Sequence, residues 1–149
     1  MIVAVACDHA GFPAKARVLE IIRALGHDAL DLGVYAPEPP ADYPDAARAV
    51  GEALQQGRAT RGILLCGSGV GACVAANKMT GVRAGVCHDT YSARQGVEHD
   101  DMNVLCLGAR IIGPELVSEL VRAFLGAAFS GEERHVRRLN KVLELEKNR

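Results

Sequence analysis

The stretch Gly62-Ile63-Leu64-Leu65-Cys66-Gly67-Ser68-Gly69-Val70-Gly71 decides how this chain is read. An apolar run stops at a cysteine, three glycines alternate with small residues, and helix-forming residues continue through Ala75-Ala76-Asn77-Lys78. The run reads as a strand over Ile63 to Leu65. A glycine turn between a strand and a helix lets backbone N–H groups approach an anion, because glycine permits close contact and unusual φ/ψ. Cys66 sits at that turn, where a helix dipole favours a thiolate. An anion cradle that holds a potential base points to catalysis more than to simple binding.

The same alternation extends in both directions. Ile2 to Ala6 reads as a buried strand followed by the turn Cys7-Asp8-His9-Ala10-Gly11. Pro13 suits the first turn of a helix with Val18, Ile21, Ile22 and Leu25 on one face, stopped by Gly26. Ala29 to Leu32 is a weaker strand, Gly33 to Pro44 a proline-rich loop, and Asp45 to Gln56 a helix. Beyond Ile63–Leu65, a helix is expected over 71–78 and a strand over 82–86. A helix capped by Asp89 follows, then a strand over 104–107 and helices over 114–124 and 132–147. Strands separated by helices imply right-handed crossovers and a mainly parallel sheet. The expected fold is α/β: a single-domain, Rossmann-like α/β/α sandwich over residues 1–149, with five strands and an extended C-terminal helix.

Bulk properties narrow the function classes. An apolar fraction of 49% with 23% charged residues is that of a soluble globular domain. The net charge of −1 offers no general attraction to nucleic acid or anionic membrane. No apolar run reaches the roughly 18 to 20 residues of a membrane span. Asp8 arrives too early for a signal peptide, and five cysteines is an odd count without metal-ligand spacing. A reducing cytoplasm is the expected compartment.

In open parallel sheets the ligand crevice lies beyond the carboxyl ends of the strands. The polar residues that follow strands here are Asp8-His9, Cys66-Gly67-Ser68, Cys87-His88 and Gly108-Ala109-Arg110. The glycine loop departs from the dinucleotide fingerprint in spacing and position, and it lacks a Walker lysine. Cys66 is either a catalytic thiol or one more buried small hydrophobe, the reading that suits Cys73, Cys87 and Cys106. Ser68 would orient the thiol, bond a reacting oxygen, or cap the following helix. Asp8 and His9 are either turn residues or catalysts. In Glu98-His99-Asp100-Asp101 the carboxylates would favour a charged histidine suited to proton transfer, or the cluster merely ends a helix. Arg134 and Arg138 share a helix face at i, i+4, which suits a phosphate grip or a plain solvated face.

Taken in order, these residues closely resemble the type B ribose-5-phosphate isomerases and the related galactose-6-phosphate isomerase subunits. The resemblance rests on Cys7-Asp8-His9-Ala10-Gly11, Asp42-Tyr43-Pro44, Cys66 to Gly71 with Ala75-Ala76-Asn77-Lys78, and Tyr91-Ser92-Ala93. It continues through His99, Asn103-Val104-Leu105, Gly108-Ala109-Arg110 and Arg134-His135 with Arg138. It implies interconversion of D-ribose 5-phosphate and D-ribulose 5-phosphate through a cis-enediolate, with no metal or organic cofactor. Cys66 would be the base, helped by Ser68, and the N–H groups of Gly67, Gly69, Val70 and Gly71 would hold the enediolate oxygen. His99 with Asp8 would open the sugar ring. His9, Arg110, Arg134 and Arg138 would hold the phosphate, and Tyr43 and Asn103 the sugar hydroxyls. Members are homodimers, in some cases paired into tetramers, with the C-terminal helix reaching the neighbour. Many relatives carry asparagine where this chain has Asp100, which bears on sugar preference. A six-carbon aldose phosphate is the alternative substrate. A flavodoxin-like binding module is disfavoured by 4% aromatic residues and no tryptophan.

Overall fold

The computed structural model describes residues 1–149. Five strands alternate with six helices: β1 (Ile2–Cys7), α1 (Phe12–Ala24), β2 (Asp28–Asp31), α2 (Tyr43–Gln55), β3 (Arg61–Cys66) and α3 (Val70–Ala76). They are followed by β4 (Ala84–Val86), α4 (Thr90–Asp100), β5 (Val104–Gly108), α5 (Pro114–Gly126) and α6 (Glu133–Lys147). The helix starts obey local chemistry. Pro13, Pro44 and Pro114 occupy first-turn positions, where a missing N–H costs nothing, and Asp89 accepts a hydrogen bond from Ser92 N–H at 2.7 Å to cap α4. Most boundaries shift by one to three residues from expectation, and two of the shifts have a clear local cause. α2 begins at Tyr43, because Pro44 is tolerated inside its first turn. α3 ends at Ala76, because the Asn77 side chain leaves the helix to pair with both the N–H and the C=O of Ala84 at 2.8 and 2.9 Å.

The sheet order is β2-β1-β3-β5-β4 and every pair is parallel, which sharpens the expected mainly parallel sheet. β1, β3 and β5 form its centre and are buried almost throughout, whereas the edge strands β2 and β4 are only half-buried. That difference explains why the central strands read as continuous apolar runs and the edges as weak ones. Strand alternation sends Val3, Val5, Ile63, Leu65, Leu105 and Leu107 to one face, under α1, α4 and α5. Ala4, Ala6, Leu64, Cys66, Val104 and Cys106 point to the other, under α2 and α3. The second layer is built of smaller residues, and there α3 lies close to the sheet. No helix is long and apolar enough to cross a membrane.

Only His135 of α6 is buried, while Val136, Val142 and Leu145 on the same helix stay exposed. His135 stacks on His99 with ring centroids 4.0 Å apart, and its Nδ1 lies 2.6 Å from Ser130 Oγ. Burial, and then the charges of His99 and Arg134, lower its pKa below the ordinary histidine value. A histidine depressed in this way contributes its stability fully above the unfolded value of about 6.5 and loses it as pH falls through the folded value. Tm should therefore drop as pH is lowered from about 7 to 5, and His135→Gln should flatten that slope. Equal slopes in melting curves of the two proteins would refute the linkage.

Candidate active site

The chain passes from β1 to β2 on one side, then returns across β1 to β3 on the other. α1 and α3 therefore leave adjacent strands toward opposite faces of the sheet, and the loops between them part. This is the switch point at which open α/β sheets take their ligands. A cleft of about 420 Å³ lies there. It brings together Asp8 and His9 from the β1 loop, Cys66, Gly67, Ser68 and Gly71 from the β3 loop, Arg110 from the β5 loop, and Tyr43 from the start of α2. Eight of the candidate residues thus converge from four separate segments.

The Cys66 loop is organised around its sulfur. Gly69 adopts φ +83°, a left-handed conformation that side chains rarely take, and this turns its N–H back to Cys66 Sγ at 3.1 Å. The sulfur is the acceptor in that contact. Val70 N–H donates to Ser68 Oγ at 3.2 Å, so the serine closes the turn while its hydroxyl stays exposed. Gly69 and Val70 do not line the cleft, and their N–H groups are spent within the loop. The N–H groups of Gly67, Ser68 and Gly71 take no backbone partner. They are the ones left to face an anion.

The walls are tied down by backbone and by buried charge. Asp8 is 6% exposed, and its Oδ1 accepts from Gly11 N–H at 2.9 Å, fixing the entry to α1. His9 Nδ1 lies 3.1 Å from the Ala41 carbonyl and holds the proline-rich loop against the cleft. The Tyr43 ring rests directly on Gly71, where a Cβ would come within 2.8 Å of the ring. The β5 loop continues the sheet pairing into the site: Ala109 N–H donates to Cys66 O at 2.9 Å and Arg110 N–H to Gly67 O at 3.1 Å.

A model of the family described as ribose/galactose isomerase matches residues 3–142. The chain belongs to the ribose/galactose isomerase family. It is 40% identical over 147 residues to ribose-5-phosphate isomerase B of Escherichia coli, covering 99% of this chain and 97% of that protein. It is also 40% identical over 132 residues to the D-erythrulose-4-phosphate isomerase of Pectobacterium atrosepticum, covering 87% and 85%. The crystal structure of ribose-5-phosphate isomerase B from Mycoplasma genitalium with bound ribulose-5-phosphate superposes with a TM-score of 0.93 at 36% identity, over 99% and 97% of the two chains. The protein is a sugar phosphate isomerase of this family.

In this isomerase the remaining candidate residues lie away from the cleft. His99 ends α4, with its Nδ1 2.8 Å from Gln95 Nε2 and its ring on His135. Arg134 is exposed and pairs with Glu132 at 3.1 Å. Arg138 is exposed on α6 and borders a groove that also holds Asp100. These three gather where α4 meets the root of α6. Asn103 stands alone: it precedes β5, at the sheet edge opposite Cys66. There its Oδ1 accepts from Arg83 N–H and its Nδ2 donates to Gly81 O, both at 2.8 Å. Its amide is used at both ends to shape the approach to β4, so a contact with the sugar in this cleft has no geometric support.

Two features of the isomerase went unread in the sequence. Lys15 is 5% exposed, and its ammonium reaches Asp31 at 3.0 Å and the Val34 carbonyl while lying 4.8 Å from the centre of the Tyr35 ring. A buried charge so fully partnered latches to α1 the start of the loop that leads to Tyr43. Its signal was present, since Lys15, Val18, Leu19 and Ile22 share one helical face. The second is Cys73, expected to be inert. It is half-buried, and a hydrogen bond from Cys106 is the main cause drawing its thiol down to about 7. Cys87, by contrast, is pushed up to about 11, chiefly by burial.

Proposed function

We propose that this isomerase interconverts ribose 5-phosphate and ribulose 5-phosphate through an enediolate, with Cys66 as the base that carries a proton between C2 and C1. The observation behind this reading is the sulfur at the cleft floor, held by Gly69 N–H, beside three N–H groups without backbone partners. Charge left on the sugar oxygen would fall to the Gly67, Ser68 and Gly71 N–H groups, with the Ser68 hydroxyl next to them. Asp8 would assist ring opening, His9 and Arg110 would meet the phosphate, and Tyr43 would cover the sugar. His99, Arg134 and Arg138 complete the proposed machinery from a second copy of the chain. The exposed apolar residues of α6 favour such a homodimer, because they leave the helix without a covering layer. A cytoplasmic enzyme of a single domain is the accompanying reading.

A second reading is an aldose phosphate of different length. A relative of equal identity is named for a four-carbon sugar, and the family includes galactose in its name. Measurement of kcat/KM on ribose 5-phosphate, erythrulose 4-phosphate, allose 6-phosphate and galactose 6-phosphate should show a preference for the pentose. A higher value for any of the others would overturn the pentose assignment. The Tyr43 wall gives a further expectation. Gly71→Ala would press the ring aside at little cost in stability, because the ring is an exposed and movable side chain. KM for ribose 5-phosphate should then rise about fivefold or more with kcat changed less. An unaltered KM would remove Tyr43 from the substrate contacts.

A further inference from the structure

We propose that His88 is a positioning residue for the Cys66 loop, its imidazole standing in for strand pairing that β4 abandons. β4 runs beside β5 in the register Ala84 to Val104, Gly85 to Leu105 and Val86 to Cys106. Continued by two residues, that register sets position 88 opposite Gly108, but the strand stops at Val86. Gly108 N–H would be left facing an open edge inside the protein, which is costly for a backbone donor. His88 Nε2 accepts it instead, at 3.0 Å. The bond requires the tautomer that carries its proton on Nδ1.

Gly108 is the pivot on which the loop rests. It stands opposite Cys66 in the β3–β5 register. The next two N–H groups, of Ala109 and Arg110, hold the carbonyls of Cys66 and Gly67. The Ser68 carbonyl crosses so close to Gly108 that a Cβ there would come within 2.6 Å of Ser68 O. A shift of Gly108 therefore displaces Cys66, Gly67 and Ser68 together. His88 is itself well anchored, because Cys87 before it is buried in the core and Asp89 after it caps α4. The imidazole thus sets the height of β5, and β5 sets the loop.

The catalytic part of this inference rests on the proposed isomerase chemistry of Cys66, and the test separates the two. His88→Leu keeps bulk and removes the acceptor, whereas His88→Gln can place an amide oxygen near the position of Nε2. The Leu variant should lower kcat on ribose 5-phosphate about tenfold with KM within about twofold, and the Gln variant should recover most of it. Hydrogen exchange of the Gly69 amide, the donor to Cys66 Sγ, should speed up about tenfold in the Leu variant and stay near normal in the Gln variant. Exchange needs no turnover, so it decides the role of His88 even if the unaltered protein does not turn over ribose 5-phosphate, a result that would refute only the proposed reaction. A folded His88→Leu protein with normal kcat and normal Gly69 exchange overturns the proposal, as does a Gln variant as impaired as the Leu variant. Should His88→Leu not fold, His88→Asn, whose shorter amide stops short of Gly108, is expected to show the same losses.

Discussion

Replacing Cys66 by alanine should lower kcat on ribose 5-phosphate by about 10³-fold or more, the scale of losing a positioned proton carrier. Two groups in the cleft compete for the role of base, each accepting one backbone N–H, and their place relative to the unpartnered N–H groups separates them. Asp8 accepts from Gly11 N–H and holds the start of α1, so its carboxylate already has a structural partner. Cys66 Sγ takes one N–H from Gly69 and otherwise lines the cleft, beside the free N–H groups that would receive the developing charge. Removing one sulfur from a site roofed by a loop leaves little cavity, so the variant should fold. Ribulose 5-phosphate should still raise its Tm, because the phosphate and hydroxyl contacts remain. Near-normal turnover by Cys66→Ala would end the thiol-base mechanism. Loss of turnover together with loss of ligand stabilisation would instead make Cys66 a binding residue.

Gly11→Ala should be the most damaging single methyl group in the chain. The glycine lies where α1 crosses the end of β3, and a Cβ would sit 2.1 Å from Leu65 O and 2.3 Å from Leu65 C. These are backbone atoms of a central strand buried on both faces, so no side chain can swing away to make room. Overpacking against a movable neighbour costs about 1–3 kcal/mol, and a rigid one puts the expected loss at about 3 kcal/mol or more. For a chain of this size that corresponds to roughly 6–12 °C in Tm. Leu65 immediately precedes Cys66, and Asp8 N–H bonds to the same Leu65 carbonyl at 3.2 Å. The strain therefore enters the site, and kcat should fall with stability. A calorimetric Tm within about 2 °C of the unaltered protein would show that α1 can lift off the strand, and the rigidity argument would fail.

The contrast between Gly11 and Gly71 shows why a glycine-rich loop cannot be interpreted from composition. Both need the absence of a Cβ, but one meets a strand backbone and the other an exposed tyrosine ring. The cost of substitution is structural in the first case and falls on substrate contact in the second. Nothing in Cys7 to Gly11 or Cys66 to Gly71 distinguishes these neighbours, since each comes from a distant part of the chain.

Much of this protein was determined by local sequence. Apolar runs at Ile2, Ile63 and Val104 announced the three central strands, because strands buried on both faces cannot carry polar residues. The prolines and Asp89 marked helix starts through their own backbone chemistry. The set Asp8, His9, Cys66, Ser68 and Arg110 was legible because residues that follow parallel strands must emerge at one edge of the sheet, whereas Tyr43 was legible only through the family resemblance. Only the tertiary structure decided the rest. It gave the Gly69 N–H to the thiol, withdrew Val70 from the anion cradle, and placed Asn103 at the far edge of the sheet. It also separated His99, Arg134 and Arg138 from the cleft within one chain and made His88 the support of Gly108. These outcomes depend on hydrogen-bond partners far apart in sequence and on which strands are neighbours. Pairing of that kind is a property of the packed sheet, and no local pattern encodes it.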